Sequence, residues 1–266
     1  TKGWQDIQDS TANVQGAKFM AATGGTVLTV GDFKTHVFTS DGTFCVSDAG
    51  NAGGSNSVEY FVVAGSGASG KSGDLNGYAS GGGGAGGFRL RSTAPGSNSP
   101  LNATSNVPIT VQAYPITVGG GGAQYSNGGN SVFSTITSAG GGVGGITAPC
   151  GPNLERVTGN NGGSGGGGGS YNPGCTPGPG GSGNTPPVSP PQGNNGSGGY
   201  GHANTGGGGG GANQAASNTS STHEGANGGS GKSAIPIFGD SPKPYYPSTP
   251  NGPNATFSGG GGGGAL

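Results

Sequence analysis

The sequence predicts a mostly irregular and β protein: a small β module followed by a stacked bundle of polyglycine-II helices, with no α-helix of note. Three observations predict it. Gly supplies 69 of the 266 residues and Pro 19, against average usage of about 7% and about 5%. Hydrophobic residues reach 28% and charged residues 7%, so a conventional core can serve only part of the chain. The glycines also recur with a period of three, in runs that continue to the C-terminus.

Composition excludes several classes. Helices are costly where Gly loses about 1 kcal/mol per residue against Ala and Pro about 3. A net charge of −1 removes the self-repulsion of charged disordered chains and favours order. Nine scattered Lys and Arg form no basic stripe, so no nucleic-acid partner is expected. No stretch of about 18 apolar residues occurs, and no transmembrane helix is expected. The start, Thr1-Lys2-Gly3-Trp4, reads as a processed product or a fragment.

Residues 1–25 read as a lead-in or attachment segment with Trp4, Ile7, Val14, Phe19 and Met20 as apolar anchors. Residues 26–64 read as the β module. Stretches 26–29, 34–39, 43–46 and 58–63 are rich in β-branched and aromatic residues, separated by turn formers. Ser40-Asp41-Gly42 is a hairpin signal. Further strand candidates are 109–112, 114–118 and 131–138, and Cys45 is expected as a small buried hydrophobe.

Residues 65–266 read as the glycine-rich bundle with intervening loops. Val143 and Ile146 share one phase while Gly141, Gly142, Gly144 and Gly145 fill the other two. Ser197 with Tyr200, and Pro179 with Ser182, repeat that arrangement. Three residues per turn is the period of the polyproline-II-type helix, which has no internal hydrogen bonds. Its amides must therefore bond to neighbouring segments. The runs predict roughly eight to ten such helices joined by loops at the two ends. Side chains of the third phase are expected at an outer face or a layer boundary.

Motifs for chemistry are sparse. Gly65-Ser66-Gly67-Ala68-Ser69-Gly70-Lys71-Ser72 matches a phosphate-binding loop, but that loop must open a helix, and Gly73-Asp74-Leu75-Asn76-Gly77 follows. Gly228-Gly229-Ser230-Gly231-Lys232-Ser233 nearly repeats the match, so no nucleotide is expected. The three His are far apart and no Cys or His cluster has metal spacing. No catalytic residue, cofactor or metal is expected, and the chain reads as a non-enzyme. Cys150 and Cys175 flank one glycine-rich segment; they are candidates for a disulfide, or else two free thiols.

Residues 32–39, Gly42-Thr43-Phe44-Cys45-Val46 and 58–65 resemble the opening of glycine-rich-domain proteins, which are common among phage tail-fibre and other structural proteins. Tyr114-Pro115-Ile116-Thr117-Val118-Gly119, and Ser131-Val132-Phe133-Ser134 followed by 139–142, carry the same resemblance, which covers 24–266. The expected architecture is similar to that of T-even-like tail-fibre tip adhesins. There, stacked polyglycine-II helices hold distal loops that touch the host receptor.

The resemblance implies an extracellular protein of a virion tail fibre that attaches to a host-cell surface receptor, a protein or a glycan. Contact loops are expected within 146–161, 170–177, 184–195, 212–224 and 234–257. Tyr171, Phe238, Tyr245 and Tyr246 are the receptor-contact candidates there, since aromatics are enriched in binding hot spots; local packing on Pro-rich loops is the other reading. Residues 1–25 would join a fibre-shaft protein or copies of the chain itself. A self-assembling subunit of an extracellular filament is the alternative, and an ice-binding protein the third.

Overall fold

The computed structural model describes residues 16–30, 33–71, 79–94, 100–147, 157–170, 176–200, 205–218, 224–234 and 255–265. No helix occurs among them, and the strands form small antiparallel sheets.

β-branched and aromatic residues build the largest sheet. β4 (Gly42–Asp48) lies between β1 (Ala21–Thr23) and β9 (Ala113–Thr117). β10 (Ser131–Phe133) and β11 (Ile136–Ser138) complete the order β1-β4-β9-β10-β11. Its buried face joins Phe44, Val46, Tyr60, Val107, Ile109 and Tyr114. Phe44 meets Phe133 edge-to-face at 6.1 Å, a geometry that aromatic quadrupoles favour.

The two-residue period of β4 corrects one expectation. Phe44 and Val46 point inward, so Cys45 between them is exposed rather than buried. Its thiol is expected to react with a maleimide in the native protein, and Cys45→Ser to change stability by less than about 0.5 kcal/mol. Protection of Cys45 from the reagent without denaturant contradicts that placement.

β2 (Thr26–Val30) and β3 (Phe33–Val37) pair with each other over five residues each. Ser40-Asp41-Gly42 does not close a hairpin, because β3 and β4 belong to different sheets. The Asp41 carboxylate instead accepts from Val118 N at 2.8 Å and pins the crossing. Residues 109–112 lie outside the strands: the strand comes earlier, as β8 (Val107–Pro108) beside β5 (Ser57–Val58). Thr110 N donates to the Tyr114 hydroxyl at 2.9 Å and bends the chain there. Ser134, at φ 52°, divides 131–138 into the β10–β11 hairpin.

Two pairings were hidden among the glycine runs. β6 (Tyr60–Val63) pairs with β7 (Phe88–Arg91), directly after the run 81–87. β12 (Lys232–Ser233) pairs with β13 (Thr256–Phe257). Strands thus lie on both sides of residue 65, and glycine segments alternate with them along the chain.

Those segments hydrogen-bond at every third residue. Between 64–71 and 79–87 the donors Ala64, Gly67 and Gly70 meet the carbonyls of Gly87, Gly84 and Gly81 at 2.9–3.1 Å. Between 79–87 and 162–170, Ala79, Gly82 and Ala85 accept from Ser170, Gly167 and Ser164. The sequence period of three is therefore a hydrogen-bond register.

Segment 162–170 is enclosed by six neighbours: 79–87, 139–147, 157–160, 178–184, 193–200 and 205–212. Each of these bonds in turn to the next around the ring, which makes the array hexagonal. Every phase of an enclosed segment faces backbone. A Cβ on Gly165, Gly167 or Gly168 would overlap the carbonyl oxygen of Gly181, Gly207 or Gly178. The interior admits small side chains such as Ala85 and Ser164, and others return where a phase faces outward, as Ser66 and Ser69, Asn127 and Asn130, Pro179 and Ser182, and Asn227 and Ser230, all exposed. Ser197 differs: it is buried, and its Oγ accepts from Gly208 N at 2.9 Å.

Direction alternates from segment to segment. Pairings of 64–71 with 79–87, 205–212 with 193–200, and 258–265 with 224–231 are antiparallel. Segments 64–71 and 139–147 start directly from β6 and β11, whereas 79–87 runs into β7. The sheets therefore cap one end of the array. Phe88 (0% exposed), Leu90 and Ala212 plug it, with Phe61 and Phe257 against them. Gln192 finishes the seal with a satisfied buried amide: Oε1 accepts from Ala139 N at 2.8 Å and Nε2 donates to Pro186 O at 2.9 Å.

Candidate functional site at the far end of the bundle

Alternation collects chain reversals at the end opposite the sheets. Gly70 with Gly81, Ser170 with Ala79, and Tyr200 with Thr205 are bonded pairs at that end. Gly264, near the end of segment 258–265, donates to Ser80 O at the same level. The described residues that flank 72–78, 148–156, 171–175 and 201–204 all stand there.

The rim is built from backbone-fixed side chains. Ser170, fully buried, donates its Oγ to Ala79 O at 2.9 Å and accepts from Ala79 N at 2.8 Å. That double contact closes the top of segment 79–87. Tyr200 donates its N–H to Thr205 O at 2.9 Å, which fixes the ring's root while the side chain stays 37% exposed. Tyr125 stands on the turn between 118–122 and 126–130, at φ 65° and 47% exposed. Ser126 N donates to Ala123 O at 2.9 Å across that turn. A chain reversal with αL backbone at a non-glycine residue is uncommon and holds the ring outward.

The contact loops expected from sequence divide between the two ends. Tyr171, Phe238, Tyr245, Tyr246, Cys150 and Cys175 lie outside the described residues. Their neighbours are placed: Ser170 is at the far end, whereas Ala234 and Ala255 bond to each other at 2.6 Å beside β12 and β13, at the sheet end. Stretch 184–195 is also at the sheet end, where Gln192 is buried. Tyr125 and Tyr200 were missed because each sits inside a glycine stretch. Their signal was a single aromatic at a run boundary followed by polar residues.

Half of the amides in the phosphate-loop match are already engaged. The amides of Gly65, Gly67, Ala68 and Gly70 donate to Gly129, Gly84, Ser126 and Gly81 at 2.9–3.2 Å. Four of the motif's eight amides are thus spent on neighbouring carbonyls, which opposes the nest of converging N–H groups that an anion needs. Among the described residues no group of three His, Cys, Asp or Glu could hold a metal ion. At the sheet end Lys18 Nζ pairs with the Asp48 carboxylate at 2.7 Å. The Lys18 contact, helped by Gly50 N, holds the Asp48 carboxyl below its usual range.

No family model, no curated protein and no solved structure matches the chain.

Proposed function

We propose that the chain is a non-enzymatic, extracellular attachment protein of a phage tail fibre, a tip that presents loops on a polyglycine-II scaffold to a host-cell surface receptor. The observation that carries this reading is the polarity of the bundle. Sheets and aromatic plugs close one end, and the reversals of the alternating segments converge on the other. The polyglycine-II assignment is supported by the three-residue register and the ring of six neighbours around 162–170. Backbone conformation agrees, since among the described glycines those with φ in the left-handed region are Gly24, Gly25 and Gly50, and none of them lies in the array.

A segment held by backbone bonds on up to six sides is stiff, and a stiff support lowers the ordering cost of binding. The sheet end, where residues 16–25 and β1 stand, is the side that joins a fibre-shaft protein. Binding of labelled protein to a panel of intact bacteria tests the reading. Tyr200→Arg is expected to weaken binding to a responsive strain about tenfold or more, at unchanged melting temperature. Phe33→Arg, an exposed change at the sheet end, is expected to leave binding intact. Loss through Phe33 alone, or no strain bound, overturns it.

A further inference from the structure

Six Asn-Gly pairs occur in the sequence, at 76, 127, 161, 195, 227 and 251. Those at 127, 161, 195 and 227 lie within the described residues. Asparagine before glycine is unusually reactive, because glycine has no side chain to hinder ring closure onto its own nitrogen. Two groups decide whether the ring closes. The glycine N–H must lose its proton to attack, and the asparagine amide carbon must swing round to meet it. The array fixes both groups at three of these pairs.

Asn127 Oδ1 accepts from Val143 N at 2.9 Å, and Gly128 N donates to Gly141 O at 2.9 Å. Asn161 Oδ1 accepts from Ser182 N at 2.7 Å, and Gly162 N donates to Ser182 O at 3.1 Å. Asn195 Oδ1 accepts from Gly183 N at 2.8 Å, and Gly196 N donates to Gly181 O at 3.0 Å. Each pair thus clasps one neighbouring segment with side chain and backbone together. The pair at 227 does not. The Asn227 side chain is exposed, and neither it nor the Gly228 N–H bonds to any described group. The peptide between them is held by one described bond, from Ser217 N to Asn227 O at 3.2 Å.

We infer that Asn227 is a deamidation site, where the folded protein converts asparagine to aspartyl and isoaspartyl residues. Gly228 N gives its proton to solvent hydroxide and bonds to Asn227 Cγ. The Cγ–Nδ2 bond breaks, and ammonia leaves with a proton from water. Water then opens the cyclic imide at either carbonyl. Opening at Cγ leaves an aspartyl residue in the normal chain. Opening at the backbone carbonyl leaves an isoaspartyl residue, with the chain running through the side-chain carbon. Both products add a negative charge at an exposed position. The isoaspartyl link also adds a backbone carbon between Ala226 and Gly229, whose N–H groups reach Gly206 O and Gly209 O at 3.1 and 2.9 Å. Those bonds are spaced three residues apart on one neighbour, so the longer backbone disturbs their register.

Peptide mapping by mass spectrometry tests this on the full folded chain, incubated at mildly alkaline pH. Asn227 is expected to convert about tenfold or more faster than Asn127, Asn161 or Asn195, since their glycine amides are protected by hydrogen bonds. In urea the four rates are expected to converge, because the reacting pair is the same at each. Deuterium exchange of the native chain gives a second reading. Gly228 N–H is expected among the fast amides, and those of Gly128, Gly162 and Gly196 among the slow ones. Conversion at any of the other three that keeps pace with Asn227 in the folded chain overturns the inference. So does a native chain whose Asn227 stays intact while the unfolded chain reacts, or a Gly228 amide as slow as its three counterparts. Both measurements compare sites within one unaltered chain, so neither depends on a variant that folds or on a receptor.

Discussion

Gly167→Val is expected to abolish cooperative folding of the bundle. Gly167 lies at the centre of the enclosed segment, where its N–H donates to Gly82 O and its carbonyl accepts from Gly145 N, both at 2.8 Å. A Cβ there would be driven into the carbonyl of Gly207 and the backbone of Gly208. Nothing flexible is available to yield, because the obstacle is main chain. Moving 205–212 aside breaks Gly82 N to Gly207 O at 2.9 Å and Gly207 N to Gly168 O at 2.8 Å. Each buried amide left unpaired costs about 1–3 kcal/mol, and overpacking adds about 1–3. The sum is a large share of the ~5–15 kcal/mol that holds a typical domain together.

Urea unfolding followed by near-ultraviolet signal measures the loss. Gly120→Ala is the matched control, since a Cβ there meets nothing within 4 Å. That variant is expected to be neutral or stabilising by up to about 1 kcal/mol. Equal damage from both substitutions would sink the close-packing account of the array.

Phe88→Ala is expected to cost about 3–5 kcal/mol, the range for a buried aromatic truncated in a core. Phe88 is 0% exposed and meets Phe61 edge-to-face at 5.0 Å. Phe61 also meets Phe257 at 5.1 Å, so Phe88 reaches β6 directly and β13 through Phe61. Its backbone is part of the same joint, with Phe88 N donating to Gln192 O at 2.8 Å. Removing the ring leaves a cavity between sheet and array that rigid glycine segments cannot collapse to fill. Unfolding is therefore expected to separate into two transitions, one for the five-stranded sheet and one for the array. Hydrogen exchange with mass spectrometry resolves them. A single unshifted transition would show that the sheets and the array do not depend on this plug.

Residue chemistry alone determined much of this protein. Strings such as Thr43-Phe44-Cys45-Val46 and 114–118 became strands because β-branched and aromatic side chains suit a pleated, half-buried surface. The recurrence of glycine at every third position became a hydrogen-bond register, because that spacing is a property of the local backbone. Tertiary structure decided the rest. No local signal says that Ser170 meets Ala79 across 91 residues, that Cys45 faces outward, or that β7 follows a glycine run. Nor does a glycine reveal which segment of the chain, if any, needs the space beside it. Glycine carries no side chain to specify its neighbour. The array's neighbours are therefore chosen by the sheets at one end and by the order of reversals at the other, both of them nonlocal.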